Sequence, residues 1–162
     1  MSTLNLIIDR TIEDVYEVAL LNDLKWANMS PDERTAYLEG MRGAYTITDF
    51  NRVDIAVNLL VDLLRDIGIS VTVNTRTWEM QDVDDPDILE IYLNNIRTLR
   101  EAFRVLPTTP DVPSDMDNLN YETANDIERI LFDLSKLIIG VINNVNLGWA
   151  MGIAHIGLHS SI

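Results

Sequence analysis

Residues 40–64 read GMRGAYTITDFNRVDIAVNLLVDLL, and the fold follows from how that stretch is parsed. Gly40 ends whatever helix precedes it. Met41-Arg42-Gly43 is then a tight connection, with Gly43 available for a left-handed backbone. A polar cluster, Thr46 to Arg52, opens a helix at Thr46 or Thr48, where Asp49 and Asn51 satisfy first-turn N–H groups. Phe50, Val53, Val57, Leu60, Leu64 and Ile67 step by three and four residues and form one apolar stripe. Ile55 and Leu59 carry apolar surface onto a flank, so this helix should touch neighbours on more than one side.

The same device returns more weakly at residues 119–134, LNYETANDIERILFDL, where Asn125 takes the place of Asn51 and Ile127-Glu128 that of Val53-Asp54. Other helix starts are just as local. Thr11 with Asp14 and Ser30 with Glu33 stand in the capping-box relation, and Ser30 is followed by proline at the first helical position. From Thr11 a helix should run to about Trp26 with Ile12, Val15, Ala19 and Leu20 inward. Asp85-Pro86 opens a longer helix striped by Leu89, Tyr92, Ile96, Leu99, Phe103 and Leu106. The last helix should run from about Tyr121 to Val145, with Ala124, Ile127, Leu131, Leu134, Ile138 and Val141 in register.

Between these lie two segments of other character. Ile69-Ser-Val-Thr-Val-Asn74 alternates apolar with polar, a strand signature, and a lone strand needs a partner for its main chain. The N-terminal LNLII, the C-terminal tail and another subunit are the candidates. Pro107, Pro110 and Pro113 make residues 107–118 an extended, semi-rigid connector. The expected architecture is therefore mainly α: a bundle of about five helices, one short strand or hairpin, and an extended C-terminal arm. Its parts are an N-terminal strand or arm (1–10), a helical domain (11–145) and an uncharged docking arm (146–162).

Bulk properties restrict function. The chain has 162 residues and a net charge of -14, from 26 acidic against 12 basic side chains. A surface of that sign repels nucleic acid and anionic lipid. With no cysteine, disulfides and thiolate metal sites are excluded. The first residues carry no signal-peptide pattern. Charge is distributed unevenly: residues 137–162, LIIGVINNVNLGWAMGIAHIGLHSSI, contain no Asp, Glu, Lys or Arg. An exposed apolar, chargeless end is an aggregation hazard unless something covers it. A membrane span is disfavoured by Asn143, Asn144 and Asn146 within it. Trp149, Met151, Ile153, Ile156 and Leu158 are the expected partner contacts, and Trp149 is the strongest of them. Trp26 and Trp78 read as packing plugs.

No constellation for catalysis emerges. The carboxylates Asp82, Asp84, Asp85 and Asp87 have proline where a calcium loop needs glycine, and they suit a helix N-terminus better. His155 and His159 are spaced for zinc on a helix, but their glycine neighbours argue against a helix and no acid lies nearby. There is no nucleophile elbow, P-loop or dinucleotide fingerprint. A cell-wall hydrolase using Glu79 or Asp82 is the least supported reading. No catalytic residue, cofactor or metal is expected.

The stretch from Asp9 to Leu60 resembles a family of small virion proteins encoded among the tail and baseplate genes of phages infecting Gram-positive bacteria. The matching residues are Trp26, Met29 to Arg34, Tyr37 to Tyr45 and Thr48 to Val53. The helix-start pattern Thr-x-x-Asp-x-Asn-Arg-Val/Ile-Asp/Glu, here ending on Asp49, Asn51, Arg52, Val53 and Asp54, recurs in such tail and fibre components. Tyr92 to Ile96, and the run from Leu106 through Asn125 to Glu128, extend the likeness over nearly the whole chain except its end. The resemblance implies a non-enzymatic structural subunit, made in the host cytoplasm and located in the virion. Its partners would be other tail or baseplate proteins and further copies of itself. The structural motif residues are Gly40, Gly43, Asp49, Asn51, Arg52, Asn125 and Glu128, with local helix-start and inter-subunit roles both open. The alternative function is an acidic mimic of nucleic acid that inhibits a host DNA-binding protein.

Overall fold

The computed structural model describes residues 4–24 and 26–157, with side chains at 38, 39 and 146–157 outside the description. Five α-helices follow in order: α1 (Ile12–Asp23), α2 (Pro31–Glu39), α3 (Ile47–Asp66), α4 (Pro86–Ala102) and α5 (Tyr121–Gly157). Short 3-10 turns at Trp26–Asn28 and Met80–Asp82 sit in the connections. The protein is mainly helical, as the periodicity implies.

Capping chemistry places the helix starts. Asp14 N–H donates to Thr11 Oγ1 while Thr11 N–H donates to the Asp14 carboxylate, and Ser30 with Glu33 repeats the reciprocal pair. Hydrogen bonds to Ser30 hold the Glu33 carboxyl below its usual range. Thr46 N–H donates to Asp49 Oδ2 at 2.7 Å, so α3 begins one residue after Thr46. Asp85 accepts from the N–H groups of Asp87 and Ile88 at the head of α4. The acidic run there is thus a helix start, in keeping with the favourable end of the dipole.

The core is a three-helix unit in which α3 packs on α4 and α5, and α4 packs on α5. The α3 stripe is buried as expected at Phe50, Val53, Val57, Leu60 and Leu64. It meets Leu93, Ile96 and Leu99 of α4 and Ile127, Leu131, Leu134 and Ile138 of α5. An aromatic knot closes one end, with Phe50 stacked on Trp78 at 4.4 Å between centroids and Tyr92 edge-on to both. Tyr45 and Tyr92 share a hydroxyl hydrogen bond of 2.6 Å. Burial is the largest cause that raises both phenols above their ordinary range.

Several expectations are corrected. On α1 it is Leu21 that is buried, whereas Ile12 and Leu20 are exposed; a helix this weakly amphipathic does not announce its inner face. Trp78 is a packing plug, but Trp26 is 48% exposed and leans edge-on to Tyr37. Leu106 and Val141 are also exposed. Gly43 does not adopt a left-handed backbone; among described residues the positive φ values belong to Gly40 and Gly68. Its smallness serves a different end, because a Cβ on Gly43 would lie 2.0 Å from the Asp14 carbonyl oxygen. The main chain of α1 rests directly on it.

The expected strand at residues 69–74 is not part of a sheet; no strand occurs among the described residues. Its apolar positions, Ile69, Val71 and Val73, do pack partly against the core. The main-chain partners are side chains of helices instead. Asn74 N–H donates to Asn95 Oδ1 at 2.8 Å and its carbonyl accepts from Asn95 Nδ2 at 2.9 Å. Arg76 N–H donates to Asp54, and Trp78 exchanges the same two-way pair with Asn51. An asparagine amide presents an N–H donor beside a C=O acceptor, so it can replace one rung of a ladder. Replacing Asn95 with alanine should strip both bonds from a partly buried peptide and cost about 1–3 kcal/mol of stability. Denaturant unfolding measures that, with faster amide exchange at Asn74 as the local sign.

The extended C-terminal arm is likewise corrected. The backbone of residues 146–157 continues α5, making a helix of 37 residues that includes Trp149, Met151, Ile153, His155 and Ile156. Glycine in a helix costs only about 1 kcal/mol relative to alanine, and this run contains no proline to break it. Leu158 and His159 lie outside the described residues, as do residues 1–3 at the head of the N-terminal arm.

Candidate functional site

The motif residues Asp49, Arg52, Asn125 and Glu128 converge, and a residue with no place in the motif joins them. Arg10, at the end of the N-terminal arm, is 4% exposed. Its Nη2 donates to Glu128 Oε1 at 2.7 Å and to Asp49 Oδ1 at 2.9 Å. Arg52 Nη2 meets the same two oxygens, 2.8 Å from that of Glu128, and its Nε donates to Glu128 Oε2 at 3.2 Å. Two guanidinium groups therefore face two carboxylates, and the buried charge sums to zero.

The geometry satisfies nearly every polar atom in reach. Glu128 is fully buried and also accepts from Ile7 N–H at 2.6 Å. Arg10 spends its remaining donors on the carbonyls of Ile7 and Arg42, and its guanidinium lies 5.4 Å from the Tyr45 ring centroid. Asn125 exchanges a two-way pair with Arg10 main chain, both bonds 2.9 Å. Burial pulls the Arg52 guanidinium down, but the hydrogen bonds and charges of Glu128 and Asp49 outweigh that, and it rises above its usual range. At the rim Arg42 pairs with Asp9. The cluster is a lock that fastens residues 7–10 to α3 and α5.

Asn51, Asn95 and Asn125 are thus one device used three times, each holding an extended segment by a two-way amide pair. Sequence reading placed Asn51 and Asn125 in helix first turns, bonded to their own helices. In the structure they reach across to other segments, although Asn51 also donates to the Ile47 carbonyl. Both amides are engaged within the chain. Arg10 escaped notice, and Asn95 was named only as part of the run Tyr92 to Ile96. An arginine outside any motif, preceding a capping box in a chain short of bases, was the available signal for the first.

Asp54 is the exception to full satisfaction. Its Oδ2 accepts from Trp78 Nε1 at 2.8 Å and from Arg76 N–H, while Oδ1 is buried with no partner. Burial raises its carboxyl above the ordinary range against the pull of those donors. No protein-family model, curated protein or solved structure matches the chain. Among the described residues, no group of three or more His, Asp or Glu side chains is placed to hold a metal ion.

Two surface features complete the picture. Leu20, Leu24, Ala36 and Met41 line a groove of about 540 Å³ between α1 and α2, with Glu17 and Asp32 at its edge. At the other end α5 leaves the core: Ile142 still packs against it, but Val141 and Val145 are 37% and 50% exposed. Of the expected partner contacts, Trp149, Met151, Ile153 and Ile156 lie on the helical backbone beyond that point. None of the described helices is long and apolar enough to cross a membrane.

Proposed function

We propose that this protein is a non-enzymatic structural subunit of a phage tail, baseplate or tail-like particle, working by protein–protein assembly within the virion. Its partners are neighbouring tail or baseplate proteins and other copies of itself. The observation that carries the reading is the end of α5. A helix of 37 residues outruns α3 and α4, which have 20 and 17, and its chargeless stretch from Leu137 runs on past Ile142, the last residue described as packing against the core. Apolar surface on such a projection is stabilised by covering it with protein. The tail-family resemblance of the Asp49–Asp54 helix start supplies the kind of particle. An acidic decoy is less well served, since Asp49, Asp54 and Glu128 are buried rather than arrayed on a face.

The test is deletion of residues 146–162, which begins beyond Ile142. Circular dichroism should show the remaining helices intact, with melting changed by only a few degrees, because every described core residue is kept. Incorporation into particles, or complex formation with neighbouring tail proteins by mass photometry, should be abolished. A truncated protein that still assembles at the full level would overturn the proposal.

A further inference from the structure

Residues 69–78 carry a main-chain pattern with a consequence for self-association. The residues bonded to helix side chains are Asn74, Arg76 and Trp78, every second one. In an extended chain the N–H and C=O of successive residues point to opposite edges. One edge of this segment is therefore anchored on α3 and α4, and the other, formed by Val71, Val73 and Thr75, points away. Among the described residues no hydrogen bond reaches the main chain of those three; only the Thr75 hydroxyl is used, donating to Asn58. The N-terminal arm, one strand-like candidate, is fastened by Arg10 and Glu128. The segment is thus a single extended stretch whose free main-chain edge has no partner among the described residues.

We propose that residues 69–77 of two copies pair edge to edge, antiparallel about Val73, and join the subunits through a two-stranded ribbon. Charge selects a second copy as the occupant. The segment holds one arginine and no acid, in a chain of net charge -14, so two copies paired along it bring no carboxylate of one segment against a carboxylate of the other. Register agrees. Centring on Val73 puts Val71 opposite Thr75 of a second copy and Val73 opposite itself, all on the free edge and all β-branched, which favours cross-strand packing. Arg76 falls opposite Ser70, so like charges do not oppose. The pairing deepens the assembly reading by naming one self-contact, and it stands or falls separately from membership of any particle.

The experiment uses the full-length chain. Because the protein has no cysteine, Thr72→Cys on the exposed face accepts a single nitroxide label. Sedimentation should show a dimer that strengthens as salt is raised, since the net charges repel and salt screens them. Dipolar spectroscopy should give an inter-label distance of about 20 Å or less, as two diagonal positions on paired strands require. Val73→Pro removes an N–H that the subunit does not use and should weaken dimerisation by about tenfold or more, with helix content unchanged. If that variant unfolds, the label distance alone decides. A monomer at all concentrations, a dimer with distant labels, or binding of this edge only by a different protein would each overturn the proposal.

Discussion

Arg10→Met should destabilise the protein by about 3–5 kcal/mol, the usual consequence of removing one partner from a buried ion pair. The variant leaves Asp49 and Glu128 facing Arg52 alone, so one carboxylate is buried without compensation. It also frees the Ile7 and Arg42 carbonyls that the guanidinium holds. The loss should depend on pH with a definite sign. An uncompensated buried carboxyl has its folded pKa raised above the unfolded value. The folded state then takes up the proton first, so the variant recovers stability relative to wild type as pH falls and loses it again as pH rises. Urea unfolding of both proteins at pH 5 and pH 8 measures the difference. Adding Glu128→Gln should restore part of the loss, because the two sites share one network. An Arg10→Met protein as stable as wild type at neutral pH would show that the arm is not held by charge.

Gly43→Ala is expected to act close to the same lock, since Gly43 follows the Arg42 carbonyl that Arg10 holds, but by another route. The added Cβ would sit 2.0 Å from a carbonyl oxygen of α1 and 2.6 Å from the Val15 nitrogen. Both are main-chain atoms, which no rotamer change can move aside, so α1 must shift as a body. Overpacking ordinarily costs about 1–3 kcal/mol, and this contact belongs at or above the top of that range. The core helices α3, α4 and α5 do not involve Gly43, so the damage should be local. Amide exchange should speed up through α1 and α2, by about a hundredfold for a cost of about 3 kcal/mol, with the α3 and α5 core amides unaffected. Unchanged protection in α1 would mean that the helix rides over the methyl group without penalty.

Features legible in the sequence were those governed by neighbours along the chain. Thr11–Asp14, Ser30–Glu33 and Asp85-Pro86 are separated by at most three residues, and each begins a helix where its chemistry says it should. The α3 stripe was equally plain because period 3.6 is a property of one segment. What sequence could not supply was any pairing between distant segments. Arg10 and Glu128 are 118 positions apart, and nothing local to either marks the other. The alternation of Ile69, Val71 and Val73 correctly gave an extended segment with one apolar face, yet its main-chain partners proved to be amide and carboxylate side chains. Gly43 illustrates the same limit: a glycine kept for close approach and one kept for its dihedral look identical until the opposing atom is known. Sequence reading singled out Gly40, Gly43, Asp49, Asn51, Arg52, Asn125 and Glu128 together, but not the lock that Asp49, Arg52 and Glu128 form with Arg10.

The length of α5 has a mechanical side. Glu128 lies in its second turn and Gly157 at its end, so at 1.5 Å per residue about 44 Å of unbroken helix separates them. Over that span an α-helix behaves as a stiff rod, and turning one end turns the other through the same angle. A neighbour gripping the far end would thereby fix the heading of the ionic lock and of the arm fastened to it. Position in an assembly would be relayed across the subunit as a direction, with no rearrangement of the bundle.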